Sequence, residues 1–412
     1  MIFFKGQMSL SQIFRYYGKN NYKLSGCSFL KVLVSGTSTI NSIGKNSKDF
    51  WNNLLLGTSG IQPFTKYDVQ TNYGIIQDLE SYTTPGTNNL GRATSLLLTG
   101  IEDALHSSGI HLEGLEKDRV GISIGTTMGE LGKHEDIVFG QSQSKLKGKP
   151  YSLTDTVAEY LGFKGPRWTN TNACAAGNYA IARAYEEIQH GRADVMIAGG
   201  VDAFSITAYA GFNSLRALTP DLCRPFDSKR KGLVLGEGVG ILILESEKHF
   251  NKRMGGNALA SIIGYGLTTD AYHLTKPDPK AKGAIKAMTN AMEMANVVPE
   301  QIKYVNSHGT GTPSNDLMES NALHEVFGAG MKTSSIKANI GHTLGAASAI
   351  EAVTCILALN EGFIPPTINL IEKDPNISAD VFTKAQKFKE KYIMSNSYAF
   401  GGINSSLIIE RV

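Results

Sequence analysis

The chain has 412 residues, 42% of them hydrophobic and 19% charged, the composition of a globular protein of one large or two fused domains. Forty Lys and Arg against 37 Asp and Glu leave a net charge of +3, too weak a field to argue for nucleic acid as a partner. The four cysteines, Cys27, Cys174, Cys223 and Cys355, are far apart with no CxxC pair, which argues against a disulfide framework or zinc ribbon and fits a reducing, cytoplasmic compartment.

The first 48 residues carry Lys5, Arg15, Lys19, Lys23, Lys31, Lys45 and Lys48 but no acid before Asp49. A basic, acid-free start is a feature of organelle-targeting segments. The simpler reading is a flexible extension over residues 1–28, ahead of a first strand at "FLKVLVSG" (29–36). No apolar run approaches the ~20 residues that span a bilayer, and "GILILE" (240–245) reads as a buried strand.

From there the chain repeats one grammar. "RVGISIG" (119–125) and "ADVMIAGG" (193–200) are short β-branched runs ending in Gly, and "IKYVNSHG" (302–309) and "IMSNSYAFGG" (393–402) have the same form later. Between them, "NACAAGNYAIARAYEEIQHG" (172–191) and "HTLGAASAIEAVTCILALNEG" (342–362) open on tiny residues, continue with helical spacing and stop at Gly, a C-cap signal. Strands alternating with helices predict an α/β architecture with buried sheets. The halves fall at 29–265 and 266–412 and pack as one unit, because no Pro/Ser-rich linker divides them.

Cys174 lies among small residues at a predicted helix start. The positive helix end and its free N–H groups lower a thiol pKa and favour a nucleophilic thiolate. An inert core cysteine is the plainer alternative. His308 and His342 follow in Gly-rich turns just after strands, where α/β folds place active sites, with Lys337 ahead of the second small-residue helix. Zinc ligation by Cys and the two His lacks any HExxH or CxxC spacing, so no metal is expected.

With these residues assembled, the chain from about residue 29 onward resembles an elongating β-ketoacyl-acyl-carrier-protein synthase of the thiolase-like superfamily. The resemblance rests on "NACAAG", "GFNSLRALTPDLCRPFDSKRKGLVLGEGVG", "DAYHLTKPDP", "HGTGTP", "IKANIGHTLGAA" and "AFGGIN", in that order. It implies two duplicated βαβαβαββ halves in a five-layer α-β-α-β-α sandwich, and a dimer with active sites beside the interface. It further implies that Cys174 takes an acyl chain from carrier-protein phosphopantetheine. His308 and His342 then offer Nε2 donors to a decarboxylating malonyl thioester, and His308 is also a candidate for activating water or the carboxylate. The Cys174 and Phe400 amides are implied as an oxyanion hole, with Phe400 as a gate on its "FGG" turn.

Lys337 matches a lysine held by acids at the positions of Asp316 and Glu319. Glu351 matches a glutamate that orders the site, in some members beside a monovalent cation; no cofactor is otherwise tightly bound. Thr310 and Thr312 match pantetheine contacts, and Arg216 a basic residue near the carrier-protein entrance. The first strand "VLVSGTSTINSIG", Ser348 and Ile403 depart from the usual pattern, which puts the pocket shape in question. "HGTGTP" leans toward a dissociated polyketide or polyene system, in which this chain is the catalytic partner of a cysteine-less chain-length subunit or forms a homodimer. Housekeeping fatty-acid elongation is the alternative. A non-catalytic interaction subunit and a zinc hydrolase rank below it.

Overall fold

The structure is a computed structural model that describes residues 30–79, 90–142, 149–253 and 256–412; the proposed extension over 1–28 lies outside them. Lys31–Val412 form one compact unit. Its first half runs β1 (Val32–Asn41), α1 (Arg92–Ser108), β2 (Val120–Gly125), α2 (Pro150–Leu161), β3 (Arg167–Asn170), α3 (Ala176–Gln189), β4 (Val195–Asp202), β5 (Gly238–Ser246). The second half repeats this as β6 (Ala260–Thr269), α4 (Lys282–Ala295), β7 (Val305–Asn306), α5 (Pro313–Phe327), β8 (Lys332–Ser334), α6 (Ala347–Glu361), β9 (Tyr392–Ala399), β10 (Ile403–Glu410). The division drawn at 265/266 falls inside β6, where the repeat begins.

Strand order is β3-β2-β4-β5-β1 in one half and β8-β7-β9-β10-β6 in the other. In both, the first three neighbours are parallel and the last three antiparallel. Val32–Val34 of β1 pair with Ala260–Ile262 of β6 and join the two sheets. The halves differ at their outer edges. A short strand, Asp380–Val381, covers the outer edge of β8, whereas β3 ends its sheet with no further strand among the described residues.

Helices α3 and α6 form the middle layer, each packed on strands of both sheets, while α1 lies on the outer face of β1 and β5 and α4 on that of β6 and β10. Five layers result. A helix apolar all round must be buried on all sides, and twelve of the 15 residues of α6 are. The segment Leu344–Glu361 has the length and mean hydropathy to cross a bilayer, but here that apolarity is used between two sheets. All of β1, β4 and β5 is likewise buried, which explains their lack of polar alternation.

The two middle helices meet closely at Gly177. A Cβ there would stand 2.7 Å from the Ala349 nitrogen and 2.8 Å from Ser348 Oγ. Ser348, a departure from the expected pattern, uses that hydroxyl to accept a 2.9 Å hydrogen bond from the Asn178 N–H, satisfying a free donor in the first turn of α3. Gly177→Ala should lower the urea midpoint, because overpacking of about 1–3 kcal/mol outweighs the ~1 kcal/mol gain in helix propensity. A raised midpoint would contradict this packing.

Candidate active site

Three chain segments converge at one end of the sheets. After β3 the backbone turns sharply at Ala173, whose φ of 50° is a left-handed conformation costly for a residue with a Cβ. A 3-10 turn over Ala173–Ala175 precedes α3 and carries Cys174, 6% exposed. The second half repeats the bend at Leu344, φ 52°, with a 3-10 turn over Leu344–Ala346, and the two turns pack together. The structural counterpart of Cys174 is therefore Gly345. His342 corresponds to Thr171, three residues upstream of the nucleophile position.

His308 follows β7 in a fully buried turn. Its N–H and that of Gly309 donate to Glu319, each at 2.8 Å. Its carbonyl accepts from Lys337 Nζ at 2.5 Å, and Lys337 forms a buried ion pair with Glu351 of α6. The His342 N–H donates to the Val234 carbonyl at 2.7 Å, and its Nδ1 accepts from the Leu344 N–H at 3.3 Å. A neutral imidazole whose Nδ1 accepts carries its proton on Nε2. The two rings stand 5.3 Å apart at 82°. Ser397 of β9 places its Oγ 3.2 Å from the Cys174 carbonyl and 3.4 Å from His308 Nδ1.

Burial dominates the electrostatics. It holds both imidazoles well below the ordinary 6.5, helped by the Lys337 charge and, for His308, by His342. Both rings are neutral at pH 7. Burial pushes Glu319 up to about 8 against its two amide donors, and raises Glu351 despite Lys337. It also pushes the Cys174 thiol up to about 12, with Lys337 and the residue's own N–H opposing. This reverses the lowered thiol pKa expected from a helix start. The cysteine sits in the turn before the helix and is shut off from water, so desolvation of the thiolate outweighs the favourable charges.

Cys174, His308 and His342 line one cavity of about 50 Å³, together with Thr310, Thr312 and Phe400. The two threonine hydroxyls bond each other at 2.9 Å. Phe400, on a turn whose Gly401 has φ 83°, stacks on Phe212 at 5.3 Å. Arg216 does not reach the cavity; it is exposed beyond the helix Ile206–Ser214 that carries Phe212. Lys337 is held by Glu351, not by Asp316 and Glu319 as expected. Asp316 instead accepts from the Phe226 and Gly311 amides and faces Arg230, and Glu319 is occupied by amides. Both acids shape the His308–Thr312 loop from beneath.

Sequence reading passed over Phe212, Ser397 and Asp202. Phe212 stands in the quoted "GFNSLRAL" stretch, where only the arginine attracted attention. Ser397 looks like one more strand residue until β9 is laid beside Cys174. Asp202 accepts four hydrogen bonds at the end of β4, and no local pattern announces it.

Residues 30–249 match the family described as Beta-ketoacyl synthase, N-terminal domain, and residues 259–371 its C-terminal domain. Nodulation protein E of Rhizobium leguminosarum bv. trifolii is 35% identical, covering 93% of this chain and 99% of its own. The 3-oxoacyl-[acyl-carrier-protein] synthase 2 of Staphylococcus aureus (strain MRSA252) is 34% identical over 93% and 98%. Among solved structures, the ishigamide ketosynthase/chain length factor superposes with a TM-score of 0.86 at 33% identity, covering 93% of this chain and all of that one.

Two measurements check the site's electrostatics. With a thiol near 12, alkylation of Cys174 by iodoacetamide should rise about tenfold per pH unit from pH 7 to 9, as the thiolate fraction does. A plateau near neutrality would restore the low thiol pKa of a helix terminus. Lys337→Met strands Glu351 and the His308 carbonyl, and should cost about 3–5 kcal/mol in chemical unfolding. Adding Glu351→Leu should recover much of that loss.

Proposed function

Because the chain belongs to the β-ketoacyl synthase family, we propose that it is the catalytic, elongating ketosynthase of a dissociated carrier-protein system. The observation that supports this reading most is one cavity lined by a buried thiol and two buried, neutral imidazoles. In the first half-reaction the Cys174 sulfur attacks the thioester of an acyl chain on phosphopantetheine. The carrier C–S bond breaks, and the thiol proton leaves with the carrier thiol. A malonyl carrier then enters and its C–C bond to the carboxylate breaks, releasing carbon dioxide and an enolate. The enolate carbon attacks the Cys174 thioester, forming the new C–C bond and returning the thiolate, which takes up a proton.

Nε2 donors from His342 and His308 stabilise the enolate oxygen as charge develops there. His342 has the required tautomer; the Ser397 hydroxyl donates to the Cys174 carbonyl in this structure, and His308 takes the same tautomer when that hydroxyl turns to donate to its Nδ1 instead. Neutral rings suit this role, since a buried imidazolium would hold its proton at a large desolvation cost. The Cys174 and Phe400 amides serve the acyl-transfer oxyanion. The cavity is small, about 50 Å³, and an acyl chain enters when the Phe400–Phe212 stack opens. Thr310 and Thr312 line the pantetheine path, and Arg216 faces the arriving carrier from outside it.

Glu351 Oε2 is buried with no hydrogen-bond partner, which fits a monovalent cation beside that carboxylate; such an ion would supply neutralising charge. The open edge of β3, with Trp168 40% exposed, suits pairing with a second subunit, a copy of this chain or a chain-length partner. The polyketide reading agrees with "HGTGTP" and with the likeness to a ketosynthase/chain length factor. The 34% identity to a 3-oxoacyl-carrier synthase favours fatty-acid elongation as the second reading. We place either reaction in the cytoplasm.

Intact-mass analysis after incubation with acyl-carrier proteins of several lengths tests the proposal. The wild type should gain one acyl group, and Cys174→Ala none. His342→Ala should keep the adduct yet form ketoacyl product on the order of 100-fold more slowly. An adduct that survives Cys174→Ala would sink the assignment of the nucleophile. Acylation only on co-expression with a chain-length partner would decide for the heterodimer.

A further inference from the structure

Asp202 ends β4 with its carboxylate fully buried and drawn on from two sides. Oδ1 accepts from Thr126 Oγ1 and the Met128 N–H, each at 2.8 Å. Oδ2 accepts from the Thr127 N–H at 2.8 Å and from the Gly345 N–H at 2.6 Å. One side chain of the first half thus holds a loop of its own half and the reactive turn of the other. The fit is close: a Cβ on Gly345 would stand 2.7 Å from the Thr127 nitrogen and 2.8 Å from Asp202 Oδ2. Burial pushes the carboxyl up only to about 6 against these donors, so at pH 7 it is ionised and accepts all four.

The held turn contains Leu344, kept at φ 52°, whose N–H lies on His342 Nδ1 at 3.3 Å. The neighbouring His308 ring meets this one edge-on, and the Leu344 N–H is the hydrogen bond that marks Nδ1 as the acceptor. We infer that Asp202 is the positioning residue for His342: by anchoring the Gly345 amide it keeps the Leu344 N–H on Nδ1 and the ring proton on Nε2. The carboxylate touches neither substrate nor reacting atoms. It acts through the backbone of the turn, and its contribution is a proton placed on the correct nitrogen. This inference rests on the reading of His342 as an enolate donor only for its effect on rate, not for its effect on the ring.

Asp202→Asn is the sharpest probe. Whichever way the amide is turned, the new NH₂ opposes a backbone N–H that cannot reverse: Thr127 and Gly345 at the Oδ2 position, or Met128 at the Oδ1 position, where the Thr126 hydroxyl can turn to accept. Ring ¹⁵N spectra of histidine-labelled protein, with His342 assigned through His342→Gln, report the tautomer directly. The wild type should show a protonated Nε2 and an accepting Nδ1. Asp202→Asn should show a mixture of both tautomers, with malonyl-carrier decarboxylation slowed on the order of 100-fold. Asp202→Glu, which keeps a carboxylate, should recover part of both signals. Thr126→Val loosens the same loop without touching Gly345 and should leave the ring unchanged.

An unaltered His342 spectrum in folded Asp202→Asn protein overturns the inference. Should that variant not fold, a wild-type ring protonated on Nδ1 overturns it equally. A shifted tautomer with undiminished decarboxylation supports the positioning role of Asp202 and instead removes His342 from the proposed chemistry.

Discussion

A single buried ammonium organises the site. Lys337 is fully enclosed, paired with Glu351 and bonded to the His308 carbonyl, and its charge reaches Cys174, His308, His342 and Glu319 as well. It helps keep both imidazoles unprotonated, and it draws the Cys174 thiol down against the burial that raises it. Because Glu351 belongs to the central helix α6, the pair also ties the His308 loop to the middle layer. Buried pairs of this kind add little net stability, but leaving either member alone is costly. The pair is better understood as a constraint on geometry and protonation than as a source of folding energy.

The second constraint is the duplicated topology. Two sheets share one helical layer, so the bends at Ala173 and Leu344 meet at the end of that layer. Left-handed backbone at a non-glycine residue persists only where its surroundings over-determine it. Here the surroundings are the mirrored turn, Asp202 and the tiny residues 175–177. Small side chains in both motifs thus have a structural reason beyond substrate access. They let the two turns touch, and that contact sets a thiol from one half beside an imidazole from the other.

Burial accounts for the main disagreement between expectation and structure. A helix start does favour a thiolate, but only where the sulfur lies at the exposed first turn. Cys174 is one turn too early and too enclosed for that rule to prevail. Lys337 shows a related limit. The resemblance placed the acids that hold it at Asp316 and Glu319, yet Glu319 is occupied by the His308 and Gly309 amides and Asp316 by the Phe226 and Gly311 amides. The acid that pairs with Lys337 lies 14 residues further on, on α6.

What the sequence determined by itself was the alternation of strands and helices, the repeated helix openings and the set Cys174, His308, His342. Each depends on local pattern: burial periodicity, glycine stops and reactive residues in turns after strands. Tertiary structure decided which acid meets Lys337, how deep the thiol lies, and which nitrogen of His342 carries the proton. It also decided that Phe212, Ser397 and Asp202 belong to the site. Those outcomes depend on groups brought together from distant segments, as Asp202 is with Gly345, and no spacing along the chain encodes such a contact.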